Sequence, residues 1–444
     1  MSSLPASPDV SLRQALGYWF KLGCISFGGP AGQISMMHQE LVEKRRWISE
    51  RRFLHALNYC MVLPGPEAQQ LATYIGWLLH GARGGLVAGG LFVLPSLQLL
   101  LLLSWAYLSY GHLPLVAGML YAVKPAVTAI VLLAAWRIGA RVLRHWFLWG
   151  IALGAFLAMA LLQAPYPAVL LGAALLGWIG WRRWPAIFTP QAKVPGPGAS
   201  QALALLDDHS PTPAHARFSR PRWLLVLGLG LGGWGLAMGL LALGGWWELL
   251  QMGWFFTKAA LLTFGGAYAV LPYVVQGGVE HYGWLTAAQM MDGLALGETT
   301  PGPLIMVVSF VGFVGGWSQQ ILGPDWPAAA GVLAACVVTF FTFLPSFLFI
   351  LLGGPLVEAS RNQLRLTAPL TGITAAVVGV ILNLALFFGQ HVLFPGGLGQ
   401  GLDWLALGWM LAALGMLYWL QWSILRVVVL SAVLGLILGA AGVA

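Results

Sequence analysis

Charged residues are scarce in this chain: they make up 8% of its 444 residues, while 59% are hydrophobic. Soluble domains carry about 25% charged residues, so this composition excludes an ordinary soluble protein. Apolar runs of roughly 20 residues, long enough to span a bilayer, recur along most of the sequence. They lack the polar and apolar alternation that a membrane barrel needs. The sequence therefore predicts an all-α integral membrane protein.

Cysteines and catalytic patterns are also sparse. Cys24, Cys60 and Cys336 lie far apart without a CxxC spacing, which argues against a disulfide framework and against a metal site. The histidines show no metal-ligand pairing and no nucleophile–base arrangement is present, so we predict no metal, no cofactor and no enzymatic activity. A membrane-embedded enzyme is the weakest alternative. No GxxxxGK[ST] loop is present, which argues against ATP hydrolysis by this chain.

The net charge of +8 is the one feature that could suggest a nucleic-acid partner. Basic residues of membrane proteins gather in cytoplasmic loops, and this explains the charge better. We therefore predict a lipid bilayer as the surroundings and no nucleic acid.

Two helix-breaking runs occur early in the chain, Phe27-Gly28-Gly29-Pro30 and Leu63-Pro64-Gly65-Pro66, and both return later. Phe264-Gly265-Gly266 repeats the first run, and Thr300-Pro301-Gly302-Pro303 repeats the second; 264 − 27 and 301 − 64 are both 237. Two further pairs keep this spacing: Lys21 with Lys258, and Trp47 with Trp284. A register held from Lys21 to Pro66 predicts two copies of one module.

The two copies are separated by a Pro-rich, polar stretch that is typical of a linker. We divide the chain into an N-terminal repeat (1–184), a linker (185–222) and a C-terminal repeat (223–444) that opens with an additional span. Each repeat is predicted to have two broken elements followed by full spans. The broken elements are expected at 11–38, 53–80, 249–274 and 292–316. The full spans are expected near 85–108, 114–135, 146–162, 166–181, 223–243, 328–352, 367–388, 403–420 and 423–442.

The basic residues predict how the chain is oriented. If the broken elements are re-entrant, the loop at 44–52, with its five Lys and Arg residues, lies on the side of the N-terminus and the linker. The turns left on the other side, near 110–112, 164–165 and 390–391, then contain no Lys or Arg, as the positive-inside rule expects. If each broken element crosses fully, the basic loop falls outside. We favour the re-entrant alternative, with a cytoplasmic N-terminus and linker.

The additional span turns the second copy over in the membrane. The loop around Trp284 corresponds to the basic loop around Trp47, yet it contains no Lys or Arg. This difference favours two inverted-topology repeats. Inverted repeats with discontinuous helices are typical of secondary transporters, which bind substrate near the bilayer midplane.

The helix breaks are the first candidate for chemistry. At each Gly-Gly the chain can turn sharply and leave backbone N–H groups at a helix start, where anions bind. Ser26 and Thr263 each add a hydroxyl donor. Each Pro-Gly-Pro run interrupts a helix and opens another. Close helix packing and a structural kink are the alternatives. The predicted substrate-binding residues are Lys21, Ser26, Phe27, Gly28, Gly29, Pro64, Gly65, Pro66, Lys258, Thr263, Phe264, Gly265, Gly266, Pro301, Gly302 and Pro303.

Charged residues inside apolar segments are the second candidate. An intramembrane lysine is costly and usually functional, so Lys21 and Lys258 are predicted to neutralise a bound dianion; snorkelling to the interface is the alternative. Lys124 is a lone charge with either a structural or a pathway role. Glu67, Asp292 and Glu298 either carry a coupling proton or cap a half-helix.

These residues also carry a family resemblance. The sequence resembles the chromate ion transporter (CHR) family in its long, two-domain form. The matching segments are Phe20-Lys21-Leu22-Gly23 through Pro30, Leu63 to Gln70, Thr263 to Gly266, and Gly297 to Pro303. The resemblance implies two homologous halves in opposite orientation, and export of chromate from the bacterial cytoplasm with resulting chromate resistance. Ala267 stands where the first copy has Pro30, so the two breaks need not share one geometry.

The function predicted from residues and resemblance together is secondary active transport. We expect a bacterial inner-membrane exporter of an oxyanion, chromate or the similar sulfate, that works by alternating access. The alternative is a proton- or cation-coupled transporter of another small substrate, with Glu67, Asp292 and Glu298 as its primary site. The residues leave open the driving force, the choice between chromate and sulfate, and whether the chain forms a homo-oligomer.

Overall fold

The structure, a computed structural model, describes residues 10–27, 29–185, 204–207, 213–360, 367–397, 399 and 401–442. This part of the chain is helical and holds no β-strand beyond an isolated bridge between Ile48 and Leu206. Within it, five helices are long and apolar enough to cross a membrane, and further apolar helices are shorter. The prediction of an all-α membrane protein is confirmed.

The helices before the linker are α1 (Leu12–Ile25), α2 (Gly29–His38), α3 (Glu50–Val62), α4 (Glu67–Tyr110), α5 (Pro114–Val142), α6 (Trp146–Ala160) and α7 (Tyr166–Arg183). The helices after it are α8 (Arg220–Leu243), α9 (Trp247–Leu261), α10 (Ala267–Val275), α11 (Ala287–Thr299), α12 (Val307–Ser318), α13 (Pro327–Ser360), α14 (Thr367–Leu393), α15 (Trp404–Tyr418) and α16 (Ile424–Ala440). A 3₁₀ turn, Leu304–Met306, leads into α12.

All four expected helix breaks are present, between α1 and α2, α3 and α4, α9 and α10, and α11 and α12. Each contains at least one glycine with a positive φ angle, a conformation that glycine adopts without steric cost. These glycines are Gly29 (72°), Gly65 (126°), Gly265 (79°), Gly266 (99°) and Gly302 (108°). Gly28 lies outside the described residues.

Several boundaries differ from those expected, and two of the differences bear on how the chain is organised. α4 is one long helix with a kink at His80 and Gly81. The second half of the second broken element and the span that follows it are therefore two parts of the same helix. α8 begins at Arg220 rather than 223, because Ser219 is extended and Pro221 suits a first helical turn. The first span after the linker therefore begins three residues earlier than expected (223 − 220).

Local structure recurs along the chain at the spacing of 237 residues. A six-residue π-helix follows α2 at Gln39–Lys44 and follows α10 at Gln276–His281. The tryptophan that follows each π-helix then packs against an aromatic ring of the helix before the break, α1 in the first half and α9 in the second. The ring centroids are 5.6 Å apart for Tyr18 and Trp47, and 5.4 Å apart for Phe255 and Trp284. The repeat is thus present in local structure as well as in sequence.

Hydrogen bonds join the first two broken elements to each other and to the linker. The Val10 carbonyl accepts a hydrogen bond from His80 Nε2 (2.8 Å), at the kink of α4. Linker residue Leu206 donates to the Trp47 carbonyl (3.1 Å) and accepts from the Ser49 amide (3.0 Å), just before α3. The start of the first broken element and the end of the second therefore lie close together, and the linker contacts the loop between the two elements.

The transmembrane helices of the two halves pack on each other in exchanged pairs. α5 packs against α16, and α14, the corresponding helix of the second half, packs against α7. Glycines allow close approach at both contacts: a Cβ atom on Gly118 would lie 2.6 Å from the Gly435 carbonyl oxygen, and one on Gly372 would lie 2.3 Å from that of Ala173. Small residues are typical of helix contacts inside membranes.

Candidate functional site

The helix breaks of the two halves meet through a reciprocal pair of backbone hydrogen bonds. The Gly65 amide donates to the Thr263 carbonyl (2.7 Å), and the Gly302 amide donates to the Ser26 carbonyl (2.9 Å). The spacing of 237 residues maps Gly65 onto Gly302 and Ser26 onto Thr263. In each half the glycine amide therefore donates to the corresponding carbonyl of the other half. Such exchanged contacts are typical of two units related by a two-fold axis.

A second reciprocal contact places a buried serine against each of these glycines. A Cβ atom on Gly65 would lie 2.4 Å from Ser346 Oγ in α13, and one on Gly302 would lie 2.7 Å from Ser96 Cβ in α4. Both serines follow a Leu-Pro pair. Both hydroxyl groups are buried and have no hydrogen-bond partner among the described residues. They are polar groups available to a ligand at this crossing.

Four helix starts line one cavity between the breaks. The cavity is small, about 10 Å³. The backbone N–H groups of a first helical turn lack partners within the helix and carry partial positive charge. Four such ends around one space favour negative charge there. The lining residues are Pro30 and Gln33 of α2, Pro66, Glu67 and Ala68 at α4, Gly266 and Ala267 at α10, and Pro303 and Leu304 before α12.

Gln33 holds two of the breaks together at this cavity. Its amide nitrogen donates to the Gly302 carbonyl (2.6 Å) and the Ser26 carbonyl (3.2 Å). Its side-chain oxygen is buried and unpaired within the described part of the chain. The sequence analysis missed this residue. A polar amide four positions after Gly29, in an otherwise apolar segment, was the available signal.

Glu67 is the one carboxyl group among the cavity's lining residues. It stands at the first position of α4, where the helix dipole favours negative charge. It forms no ion pair within the described residues, and the titratable group that interacts with it there is the buried thiol of Cys60. A carboxylate at this position is therefore stabilised by the same positive helix ends that would stabilise a bound oxyanion.

The two lysines predicted to bind the anion do not line this cavity. Lys21 is exposed. Lys258 is half-buried, with Nζ 5.8 Å from the ring centroid of Trp254 on its own helix. The hydroxyl groups of Ser26 and Thr263 donate back to carbonyls of their own helices, so their protons are already engaged. A direct role for these four side chains in binding stays a prediction.

Asp292 and Glu298, the other predicted acidic residues, lie in α11 and have protein partners. Asp292 Oδ2 is 3.6 Å from Lys124 Nζ and accepts a hydrogen bond from Tyr107 (2.9 Å). Glu298 accepts a hydrogen bond from Tyr268 of α10. The lone charge at Lys124 thus has a counter-charge from the other half, which sequence spacing gave no means of pairing.

Separating Lys124 from Asp292 is expected to destabilise the protein. Asp292 is 3% exposed and Lys124 is 25% exposed. Lys124→Met leaves the more buried charge, Asp292, without its partner, so it should lower the free energy of unfolding more than Asp292→Asn does. Breaking a buried pair costs about 3–5 kcal/mol, and the partial exposure of Lys124 reduces this to about 2–3 kcal/mol. The measurement is thermal unfolding of both variants in detergent.

The double variant Lys124→Met/Asp292→Asn serves as the control, because it removes both charges together. It should recover most of the lost stability. Single variants as stable as the wild type would show that the two groups do not interact energetically.

The fold and site together define a class: a multi-pass helical membrane protein whose broken helices meet around a buried, anion-favouring cavity. The family profile described as "Chromate transporter" matches residues 13–178 and again residues 250–436. The chain belongs to the chromate transporter family.

Named relatives match most of the chain. The chromate transport protein of Pseudomonas aeruginosa is 34% identical over 84% of this chain and 80% of its own length. That of Cupriavidus metallidurans is 30% identical over 88% of this chain and 85% of its own length. The probable chromate transport protein of Synechococcus elongatus is 28% identical, with 88% of each chain covered. No solved structure matches this chain significantly.

Proposed function

We propose that this chain is a secondary active transporter that moves chromate, a sulfate-like oxyanion, out of the bacterial cytoplasm. The observation that carries the proposal is the convergence of four helix starts on one cavity, in a member of the chromate transporter family. Export through the inner membrane would confer chromate resistance. The relatives' names supply the substrate, whereas the helix ends supply the reason why an anion binds.

Binding at this site rests on backbone N–H groups and helix dipoles. A tetrahedral oxyanion offers acceptor oxygens in several directions, and these match N–H groups that arrive from four helices. The buried hydroxyl groups of Ser96 and Ser346 add side-chain donors beside Gly302 and Gly65. Chromate and sulfate share charge and shape, so both are expected to compete for the site.

The size of the cavity and the reciprocal contacts support alternating access. A space of about 10 Å³ holds one water molecule at most. An oxyanion therefore enters only after the breaks separate. Because the two-fold relation exchanges the Gly65–Thr263 and Gly302–Ser26 contacts, opening one while keeping the other gives two equivalent states. These states face opposite sides of the membrane if the repeats are inverted.

The proposed orientation puts the N-terminus and the linker in the cytoplasm. The linker contacts the basic loop at 44–52, and the matching loop of the second copy has no Lys or Arg. Positive charge on one copy only is what the positive-inside rule expects of inverted repeats. We propose repeat boundaries of 1–184 and 223–444 on this basis.

Chromate uptake by inverted membrane vesicles tests the proposal, because export from the cell becomes uptake in such vesicles. We expect saturable uptake that sulfate inhibits. Ionophores that separately collapse the pH gradient and the membrane potential will identify the driving force. Uptake no greater than that of vesicles lacking the protein, under either gradient, would contradict the proposal.

A second candidate is a proton- or cation-coupled transporter of another small substrate. The Lys124–Asp292 pair and the Glu67 carboxyl favour it, since charged groups at membrane depth mark ion pathways. Loss of transport in Glu298→Gln, together with absence of chromate binding by the wild type, would support this candidate over the first.

A further inference from the structure

A second cavity lies beside the linker, away from the helix breaks. It measures about 530 Å³ and is enclosed by the kink of α4, the linker segment 214–219, the start of α8 and the end of α13. The cavity thus touches both halves of the protein. No residue of the predicted substrate site lines it.

One end of this cavity is positively charged. Arg217 and Arg222 line it, and neither forms an ion pair with a carboxylate among the described residues. Arg222 Nη1 donates to the Ala214 carbonyl (3.2 Å), which holds this guanidinium at the cavity. The start of α8 adds its dipole there, because Ser219 makes no capping hydrogen bond and the first turn has no acidic residue.

The same end contains an unused hydrogen-bond donor. Trp223 lines the cavity, and its indole Nε1 is buried with no acceptor within the described residues. A buried N–H group without an acceptor is destabilising, because it has lost its hydrogen bond to water. An anionic oxygen placed between Trp223 and the two arginines would satisfy this donor and both charges.

The rest of the cavity's lining is largely apolar. This apolar wall is formed by Leu225, Val226, Leu351 and Pro355. α8 lies at the periphery of the bundle, with Leu224 and Leu229 more than half exposed (61% and 68%). A membrane-facing helix that begins with arginines and continues with leucines places the charged end at headgroup level and the apolar end at acyl-chain level.

We propose that this cavity binds an anionic glycerophospholipid, with its phosphate at Arg217, Arg222 and Trp223 and an acyl chain along the apolar wall. Basic pockets at helix ends on the cytoplasmic side are typical sites for such headgroups. Free phosphate would use the charged end alone, whereas a lipid also uses the apolar wall. The bound lipid joins the linker and α8 to α4 and α13, and so stabilises the contact between the two halves. The proposal stands independently of the transported substrate.

The test uses the full chain, purified in detergent and stripped of lipid. Binding of phosphatidylglycerol is measured by native mass spectrometry, and its effect on thermal unfolding is measured alongside. We expect phosphatidylglycerol to bind and raise the unfolding temperature, and phosphatidylcholine to do neither. Arg217→Gln/Arg222→Gln should weaken binding about thirtyfold, since each basic residue contributes about 1 kcal/mol.

Trp223→Phe keeps the ring and removes only the N–H donor, so it should weaken binding about tenfold even if the arginine variant folds poorly. Arg141→Gln/Arg144→Gln is the matched control, because these arginines lie on the same predicted side of the membrane but outside the cavity. It should bind like the wild type. Equal binding of phosphatidylcholine, unchanged binding in the arginine and Trp223 variants, or stabilisation by inorganic phosphate equal to that by lipid would each overturn the proposal.

Discussion

Oxyanion binding by the Glu67→Gln variant is expected to be tighter than wild-type binding by about tenfold or more at alkaline pH, where the wild-type carboxylate is ionised, and to lose the pH dependence that this carboxyl group causes. Glu67 lines the cavity of the four helix starts and has no cation partner among the described residues. An ionised carboxylate there repels a bound anion, and at an effective dielectric constant near 20 two charges 4 Å apart interact by about 4 kcal/mol. Glutamine keeps the shape and removes the charge.

The sign of the pH effect follows from this competition. Protonation of Glu67 removes the competing charge, so wild-type affinity should rise as the pH falls, while the glutamine variant should show only the change that protonation of chromate itself causes. Proton and oxyanion would then bind together, and stimulation of vesicle uptake by an imposed pH gradient, acid on the side from which the oxyanion enters, should be lost in the variant. Equilibrium binding of chromate to both proteins across pH is the measurement, because protonation of chromate itself affects both alike. Parallel pH profiles would remove Glu67 from the coupling.

The Gly302→Ala and Gly65→Ala variants are both expected to lose transport completely. Both glycines have positive φ angles, and a Cβ atom on either would clash with a buried serine of the other half. Backbone strain and overpacking together cost about 2–4 kcal/mol. The change also displaces the glycine amide, which donates a hydrogen bond to the other half of the protein. We therefore expect the site to lose its ability to close while the protein still folds.

Chromate uptake by inverted vesicles, with membrane protein levels measured in parallel, tests this prediction. Gly90→Ala is the control, because Gly90 lies in α4 and an added Cβ there meets no atom within 4 Å. It should transport like the wild type. Normal uptake by either variant of the reciprocal pair would show that the contacts at the breaks are not needed for closing.

The breaks and the repeat could be predicted from sequence because their chemistry is local. Gly-Gly and Pro-Gly-Pro runs interrupt a helix in any surroundings, and all four expected breaks occur. The spacing of 237 residues fixes which residues correspond. It does not give the Gly65–Thr263 and Gly302–Ser26 hydrogen bonds, because these depend on how the two halves pack.

The side chains around the site could not be predicted as well, because their positions depend on packing between distant segments. Lys21 satisfied every sequence criterion for an intramembrane charge, yet it faces outward. Lys124 had no repeat partner, and its counter-charge, Asp292, comes from the other half of the chain. Gln33 stands where the second copy has Val270, so a search for residues shared by both copies passes over it.

Location of bound chromate in the Glu67→Gln variant is the most direct test of the central claim, that an oxyanion binds at the four helix starts. Chromium scatters X-rays anomalously, so an anomalous difference map from crystals grown with chromate marks the anion without reference to the protein model. We predict one strong peak within about 3–4 Å of the backbone nitrogens of Ala267 and Ala68. A peak beside Lys21 or Lys258, with none between the helix starts, would contradict the account.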